Sequence, residues 1–106
     1  MSNTLEPRYD VVWPLSRKAG DVVAAAHRLP DLNGKTVCEL WDGIFRGELI
    51  FPALRAHLQR RYPDVKFVDA SAFGDFYGPR AASVMAELPD KLRAHGVDAA
   101  IVGIGA

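Results

Sequence analysis

The sequence has little of what several classes of protein require. It has one cysteine, which excludes an intrachain disulfide, and its three histidines lack metal-ligand spacing, so no metal site is predicted. Thirteen basic and thirteen acidic residues give a formal net charge of zero, which argues against a nucleic-acid surface. No apolar run is long enough to cross a bilayer, and residues 1–10 lack a signal-peptide pattern. We therefore expect a cytoplasmic protein without nucleic-acid or membrane partners.

The composition is otherwise that of an ordinary globular protein. The chain has 106 residues, of which 49% are apolar and 25% are charged. This length and composition fit one small domain with a marginal core.

Residues 1–34 differ in pattern from the rest and are predicted to form an arm that packs on the body. An apolar patch in this arm consists of Val11, Val12 and Trp13. A short helix is predicted from Asp21, which can cap it, to Leu29, because the residue before Pro30 avoids the helical region.

Residues 35–106 are predicted to form a βαβαβ body. Apolar runs in "KTVCELW", "YPDVKFVDA" and "VDAAIVGIGA" predict three strands. Alternating strands and helices imply parallel pairing with right-handed crossovers. We expect a three-layer α/β fold whose small parallel sheet has flavodoxin-like order, with the first strand in the middle.

Apolar residues at steps of three and four predict the two helices of this body. The first begins near Glu48 and places Arg55 on its outer face. Its inner face carries Phe51, Leu54, Leu58 and Tyr62. The second begins near Pro79 and is kinked or divided at Pro89. Its inner face carries Ala81, Met85, Leu88 and Leu92.

The third strand predicts that the sheet is incomplete and is half of a larger domain. It is apolar on both faces, as strands are in a sheet covered on both sides. The predicted order nevertheless leaves it with a free outer edge, which natural proteins protect.

Three loops are expected to meet beyond the carboxyl ends of the strands, where open α/β sheets bind ligands. In the loop "DGIFRGE", Asp42 and Glu48 bracket Arg46, and Asp42 and Arg46 are the candidate catalytic residues. An arginine here can pair with a carboxylate or phosphate, or lower the pKa of a thiol. The alternative is a tight turn with a surface ion pair.

The candidate pocket also draws on the loops "SAFGDFYG" and "GIGA". The residues predicted to line it are Gly43, Gly47, Glu48, Phe73, Asp75, Tyr77, Gly103 and Gly105. The aromatic ones can form the wall of a small-molecule pocket, or they can simply cover the end of the sheet.

Other site types lack support. Cys38 lies inside the first strand, where a free cysteine behaves as a small apolar residue. The glycines do not form the dinucleotide fingerprint, and no phosphate-loop lysine is present. No serine stands in a nucleophile elbow. The sequence names no cofactor.

From Asn33 onward the chain resembles the UGSC family. The resemblance rests on "LNGKTVCELWDGIFRGELIFPALRAHLQRRYPDVKFVDASAFGD" and "LPDKLRAHGVDAAIVGIGA", about two-thirds of the chain. The arm matches less clearly. In that family the strand corresponding to "AIVGIGA" is followed by selenocysteine or cysteine and then Gly-Ser-Cys. The resemblance implies redox chemistry at that chalcogen.

The family's tetrapeptide is absent here, because Ala106 stands just before its first position. Selenocysteine is encoded by UGA, which ordinarily means stop, so a gene read with UGA as a terminator would end at this residue. There are two alternatives: a separate subunit that begins near the motif, and a simple truncation.

Three functions are therefore considered. The first is the N-terminal part of a thiol- or selenol-dependent oxidoreductase, inactive as this chain alone, whose pocket for a small-molecule substrate is shaped by Arg46 and Asp42. The second is a non-catalytic subunit of a heteromer, whose sheet a partner chain completes. The third is a self-sufficient flavodoxin-like module that binds a small ligand or phosphate.

Overall fold

A computed structural model describes residues 6–14 and 20–105. Residues 1–5 and 15–19 of the predicted arm, and Ala106, lie outside the described residues. The elements in chain order are β1 (Thr36–Trp41), α1 (Gly47–Arg61), β2 (Lys66–Val68), a 3-10 helix (Ala70–Ala72), α2 (Ala81–Ala94) and β3 (Ala99–Gly103).

The three strands form one parallel sheet in the order β2-β1-β3. Val37 of β1 is in register with Phe67 of β2 on one side and with Ala99 of β3 on the other. The predicted α/β fold with its first strand in the middle is therefore confirmed, and the sheet is open.

The two helices pack on opposite faces of the sheet. Gly103 of β3 lies against Phe51 of α1, whereas Val102 shares a groove with Met85 and Leu88 of α2. Because successive strand residues point to opposite faces, α1 covers one face and α2 the other. The architecture thus has the three predicted layers.

The core is centred on β1, the middle strand of the sheet. The buried apolar residues are Val37, Cys38, Phe51, Val65 and Phe73. Two of them lie on β1, the strand with a neighbour on each side. The small number of buried residues agrees with the marginal core expected at this length.

Helix α1 begins at Gly47, next to the predicted start, but its inner face differs from the prediction. Arg55 lies on the buried side and pairs with Glu39 of β1, so its predicted outer position is wrong. Leu54, predicted on the inner face, is exposed. Arg55 is one helical turn after the buried Phe51 and therefore shares its face, and Glu39 supplies the buried charge that it neutralises.

Helix α2 begins at Ala81, two residues after the predicted Pro79, and is a single helix through Pro89. Of the predicted alternatives at Pro89, a kink or a division, the division does not occur, since one helix runs from Ala81 to Ala94. Leu88 and Leu92 on either side of the proline are half-buried. In the described part of the chain, no helix combines the length and hydropathy needed to cross a bilayer.

Strand β3 alternates between half-buried and exposed residues. The predicted cover on both of its faces is absent from the described structure, since Val102 is exposed on the α2 side. The cause is its edge position. Among the described strands β3 pairs only with β1, so its outer side has no neighbouring strand.

The arm forms no regular structure in its described residues. The helix predicted from Asp21 to Leu29 is not formed, and Val22 and Val23 are exposed. A nine-residue segment is too short to be helical without tertiary packing, and residues 21–29 are exposed. The end of the arm does contact the body, since the Gly34 N–H donates to the Asp64 carbonyl at 3.2 Å and the Asn33 side chain accepts from the Asp64 N–H at 3.3 Å. The arm–body boundary at residue 34 stays a prediction.

Candidate functional site

The carboxyl ends of β1 and β3 are tied together by Asp42. Its backbone N–H donates to the carbonyl of Gly103 at 3.3 Å, and its carboxylate accepts from the N–H of Gly105 at 2.8 Å and from that of Ile44 at 3.1 Å. We call this arrangement the Asp42 clamp. It fixes the path of the chain after β3 relative to the β1–α1 loop, so Asp42 positions backbone at the sheet end.

Arg46 lies in the same loop, and its guanidinium pairs with the neighbouring Glu48. Its Nε donates to the Glu48 carboxylate at 2.6 Å, and the side chains are 75% and 51% exposed. The pKa of Glu48 is lowered, first by a hydrogen bond from its own backbone and then by Arg46. The surface ion pair considered from the sequence is thus formed, and such exposed pairs contribute little to stability.

Aromatic rings hold the loop against the sheet and require two glycines. A Cβ on Gly47 would lie 2.6 Å from the Trp41 ring, and one on Gly103 would overlap the ring of Phe45. The Trp41 and Phe45 rings meet edge to face with centroids 5.9 Å apart. Only a residue without a side chain fits at either glycine, because ordinary contacts are longer than 3.4 Å.

A cavity of about 560 Å³ opens beside α1 at the ends of β1 and β2. Its charged lining residues are Glu39, Glu48, Asp69, Asp75 and Arg55, and we call it the acidic cavity because carboxylates outnumber the single guanidinium. Gly43 and Gly47 also line it. Its volume lies within the range of small-molecule sites, and its charge favours a neutral or cationic ligand over an anion.

The acidic cavity contains a charge network that the sequence reading missed. Glu39 is 1% exposed and accepts from Arg55 at 3.0 and 2.6 Å in a two-point contact. Arg55 also reaches Asp69 at 3.4 Å. The hydrogen bond to Glu39 raises the pKa of Arg55, and hydrogen bonds from Ser71, followed by Arg55, lower the pKa of Asp69. The network joins β1, α1 and the end of β2.

A second concave surface lies on the opposite face, beside α2. It has a volume of about 390 Å³, and we call it the apolar groove. Its apolar lining residues are Leu40, Trp41, Phe76, Tyr77, Met85, Leu88, Val102 and Ile104. Asp42 is the charged residue among those that line it. The two sides of the sheet end therefore differ sharply in polarity.

A sequence profile of the UGSC family matches residues 10–106. The chain belongs to the UGSC family. The match extends the resemblance seen from Asn33 onward into most of the arm, including the Val11–Trp13 patch. No curated protein and no solved structure matches this chain.

In this family member, the predicted pocket residues lie in different places and do not line one pocket. Gly43, Gly47, Glu48 and Asp75 line the acidic cavity. Tyr77 and Gly103 line the apolar groove, and Gly105 belongs to the Asp42 clamp. Arg46 is not among the lining residues of either surface. The predicted residues thus surround one sheet end without converging on one point.

The aromatic residues of the loop "SAFGDFYG" divide between core and surface. Phe73 is fully buried and packs edge to face on His95 with centroids 5.6 Å apart. Tyr77 is exposed at the groove, and its N–H donates to Asp75 at 2.8 Å. Phe73 therefore belongs to the core, whereas Tyr77 lies at the surface.

Cys38 is fully buried in β1. Its burial raises the pKa of the thiol, and the charge of Glu39 also acts in that direction. A thiol that is protonated and inaccessible is a poor nucleophile. The expected role of Cys38 as a small apolar core residue agrees with this placement.

Proposed function

We propose that this chain is the amino-terminal part of a thiol- or selenol-dependent oxidoreductase of the UGSC family. The observation that carries the proposal is the Asp42 clamp, which holds the segment after β3 at the end of the sheet. In the family, the chalcogen and Gly-Ser-Cys follow the segment that corresponds to "GIGA". Asp42 would therefore position the backbone that leads directly to the nucleophile.

The geometry of this loop also favours an electrostatic role for Arg46. A Cβ on Gly105 would lie 2.8 Å from Ile44 and 3.4 Å from the Phe45 nitrogen, and Arg46 is the next residue in the loop. A cation that approaches the nucleophile from this loop would favour its ionised form. Glu48 now pairs with Arg46, so release of that pair would increase the effect.

The nucleotides after the Ala106 codon provide the first test. The proposal expects an in-frame UGA or cysteine codon, followed at once by codons for Gly-Ser-Cys. A different in-frame sequence would remove the redox proposal, whatever the fold of the present chain.

The second test is chemical and uses the protein extended through the motif. Asp42→Asn keeps the size of the side chain but weakens its acceptance from the Gly105 N–H. We expect slower alkylation of the chalcogen at a given pH in this variant. Asp90→Asn is the matched control, because Asp90 lies on α2 and pairs only with Arg93 among the described residues. Equal alkylation rates in the two variants would remove Asp42 from the mechanism.

A second candidate function is a subunit whose sheet is completed by another chain. The open edge of β3 and the exposed Val102 and Ile104 beside it favour this reading, because unprotected apolar edges are rare in finished folds. Co-expression with the product of the neighbouring gene tests it. The candidate predicts a stable complex, and recovery of the two proteins separately would contradict it.

A third candidate is a small-ligand module that uses the acidic cavity. Its volume favours the idea, but the carboxylates of Glu48, Asp69 and Asp75 disfavour a phosphate. Calorimetric titration with flavin mononucleotide, inorganic phosphate and spermidine distinguishes the options. The cavity predicts a preference for the cation, and no heat with any of the three would contradict the candidate.

A further inference from the structure

The end of the arm enters β1 through a tight turn. Asn33 and Gly34 occupy its middle, and the Lys35 N–H closes it by donating to the Leu32 carbonyl at 3.0 Å. Gly34 has a φ of 73°, a conformation that residues with a side chain rarely adopt. Both middle residues are exposed. The turn therefore places an Asn-Gly pair at the surface, directly before the central strand of the core.

The turn is held on the body by Asp64, which lies between α1 and β2. The Gly34 N–H donates to the Asp64 carbonyl at 3.2 Å, and the carboxamide oxygen of Asn33 accepts from the Asp64 N–H at 3.3 Å. We call these two hydrogen bonds the junction contacts. They engage both the Asn33 side chain and the backbone nitrogen that follows it.

These are the two groups that react when asparagine, a thermolabile residue, is followed by glycine. The Gly34 nitrogen attacks the side-chain carbonyl carbon of Asn33, and the new C–N bond closes a succinimide ring. Ammonia leaves and takes the proton that the nitrogen gives up. Water then opens the ring to aspartate or to an isoaspartyl linkage. Glycine favours the attack because it has no side chain to crowd the nitrogen.

We propose that Asn33–Gly34 is a site of self-modification that the junction contacts control. While the Gly34 N–H points at the Asp64 carbonyl, its nitrogen cannot turn towards the Asn33 carboxamide. A surface turn opens at a lower free energy than the whole fold, so the reaction proceeds through local opening of the junction. The proposal is independent of the redox function, because it uses neither the Asp42 clamp nor the segment after β3.

The pair Asp42–Gly43 provides a contrast within the same chain. Gly43 is also exposed and has a φ of 81°. The side chain before it is a carboxylate, which accepts from two backbone N–H groups in the Asp42 clamp. A carboxylate is a poorer electrophile than a carboxamide because its negative charge repels the attacking nitrogen. Modification should therefore occur at residue 33 well before residue 42.

The isoaspartyl product would keep the junction open. Its main chain is one carbon atom longer, so the turn and both contacts to Asp64 cannot reform together. The new carboxylate also lies close to that of Asp31, which accepts from the Asn33 N–H at 2.8 Å, and like charges repel each other. The modified chain thereby becomes a substrate for the class of enzyme that methylates isoaspartyl carboxylates.

Ageing of the intact chain at neutral pH, in buffer and in urea, tests the site. Trypsin releases residue 33 in the peptide "LPDLNGK", mass spectrometry measures loss of its amide, and enzymatic methylation measures isoaspartate. We expect conversion about tenfold to a thousandfold faster in urea, because two hydrogen bonds must open in the folded chain. A smaller ratio would show that the junction contacts do not control the reaction. A larger one would show that the turn opens only with the whole fold.

Two controls separate the site from general damage. Asn33→Gln should abolish the conversion, because the longer side chain closes the corresponding ring far more slowly. In urea, Asn3 should convert more slowly than Asn33, because it is followed by Thr4, whose branched side chain crowds the nitrogen. Equal rates at the two asparagines in urea, or no conversion of Asn33 there, would overturn the proposal.

Hydrogen exchange tests the effect on the junction. In the aged, refolded chain, the Gly34 N–H should exchange at least about tenfold faster than in the fresh chain, because the hydrogen bond that protects it is lost. The Val97 N–H is the matched control. It donates to the Leu92 carbonyl at 3.1 Å, in the corresponding connection before β3, and should exchange at an unchanged rate. Equal protection of Gly34 in fresh and aged chains would show that the modification leaves the junction closed.

Discussion

At the carboxyl end of the sheet, the α1 side pairs its buried charge within the chain, whereas the α2 side leaves apolar side chains exposed. On the α1 side, the most deeply buried charge, Glu39, is paired with Arg55 inside the same chain. On the α2 side, apolar residues such as Met85 and Ile104 stay exposed. The α1 side therefore neutralises its buried charge within the chain, whereas the α2 side has apolar surface that another molecule can cover. Four predictions test this contrast, from the largest expected effect to the smallest.

Removal of Arg55 should have the largest effect. Arg55→Ala leaves Glu39 buried without its partner, and breaking a buried pair from one side costs about 3–5 kcal/mol. The free energy of unfolding is measured in urea by tryptophan fluorescence. Replacement of both residues by leucine should recover most of the loss, because well-packed apolar pairs often match buried ion pairs. A cost of Arg55→Ala below about 1 kcal/mol would mean that water already solvates the pair.

Crowding at Gly47 should have the next largest effect. Gly47→Ala forces its Cβ against the Trp41 ring, and overpacking costs about 1–3 kcal/mol, more than the helix propensity gained. Gly20→Ala is the control, because nothing lies within 4 Å of a Cβ there. If both variants unfold at the same urea concentration, the loop does not pack as tightly against Trp41 as its contacts indicate.

The strand order and the Glu39–Arg55 pair show what the sequence can and cannot predict. The strand order was predicted from the alternation of strands and helices along the chain, because right-handed crossovers leave few possible topologies. The Glu39–Arg55 pair was missed because periodicity assigned Arg55 by its polarity to the outer face. A carboxylate in the middle of the run "KTVCELW" was the available signal, since a buried acid requires a cation nearby.

The site was harder to predict than the fold for a similar reason. The loops around Asp42 and Asp75 were placed at the correct end of the sheet, because parallel strands share that end. Which face each loop residue lines depends on contacts between distant segments. The clamp from Asp42 to Gly105 joins residues 63 positions apart, and nothing in local sequence encodes it.

A third, smaller effect should appear as pH dependence at Asp69. Its pKa is lowered by hydrogen bonds from Ser71 and then by Arg55. A lowered folded-state pKa contributes stability above the unfolded value, near 3.9, and that stability is lost as the pH falls through the folded pKa. Wild type should therefore exceed Asp69→Asn in stability at neutral pH, with the difference vanishing in acid. A difference that is constant with pH would contradict this assignment.

The smallest effect should come from Arg46. Arg46→Ala should leave the stability of this chain unchanged, since the pair with Glu48 is exposed. The pKa of Glu48 should rise only partway towards its ordinary value, because its own backbone hydrogen bond is the larger cause of its shift. Carboxyl titration by NMR measures this. A clear loss of stability would show that Arg46 makes contacts beyond Glu48.

The central proposal is that a reactive chalcogen lies directly after the segment held by Asp42, whereas the thiol of Cys38 is a core group. The most direct test is alkylation at pH 6 of the protein extended through Gly-Ser-Cys, with each modified site identified by mass spectrometry. We expect rapid modification at the position that follows Ala106, and modification of Cys38 only after unfolding in guanidinium. Equal rates at the two positions in the native protein, or faster reaction at Cys38, would contradict the claim.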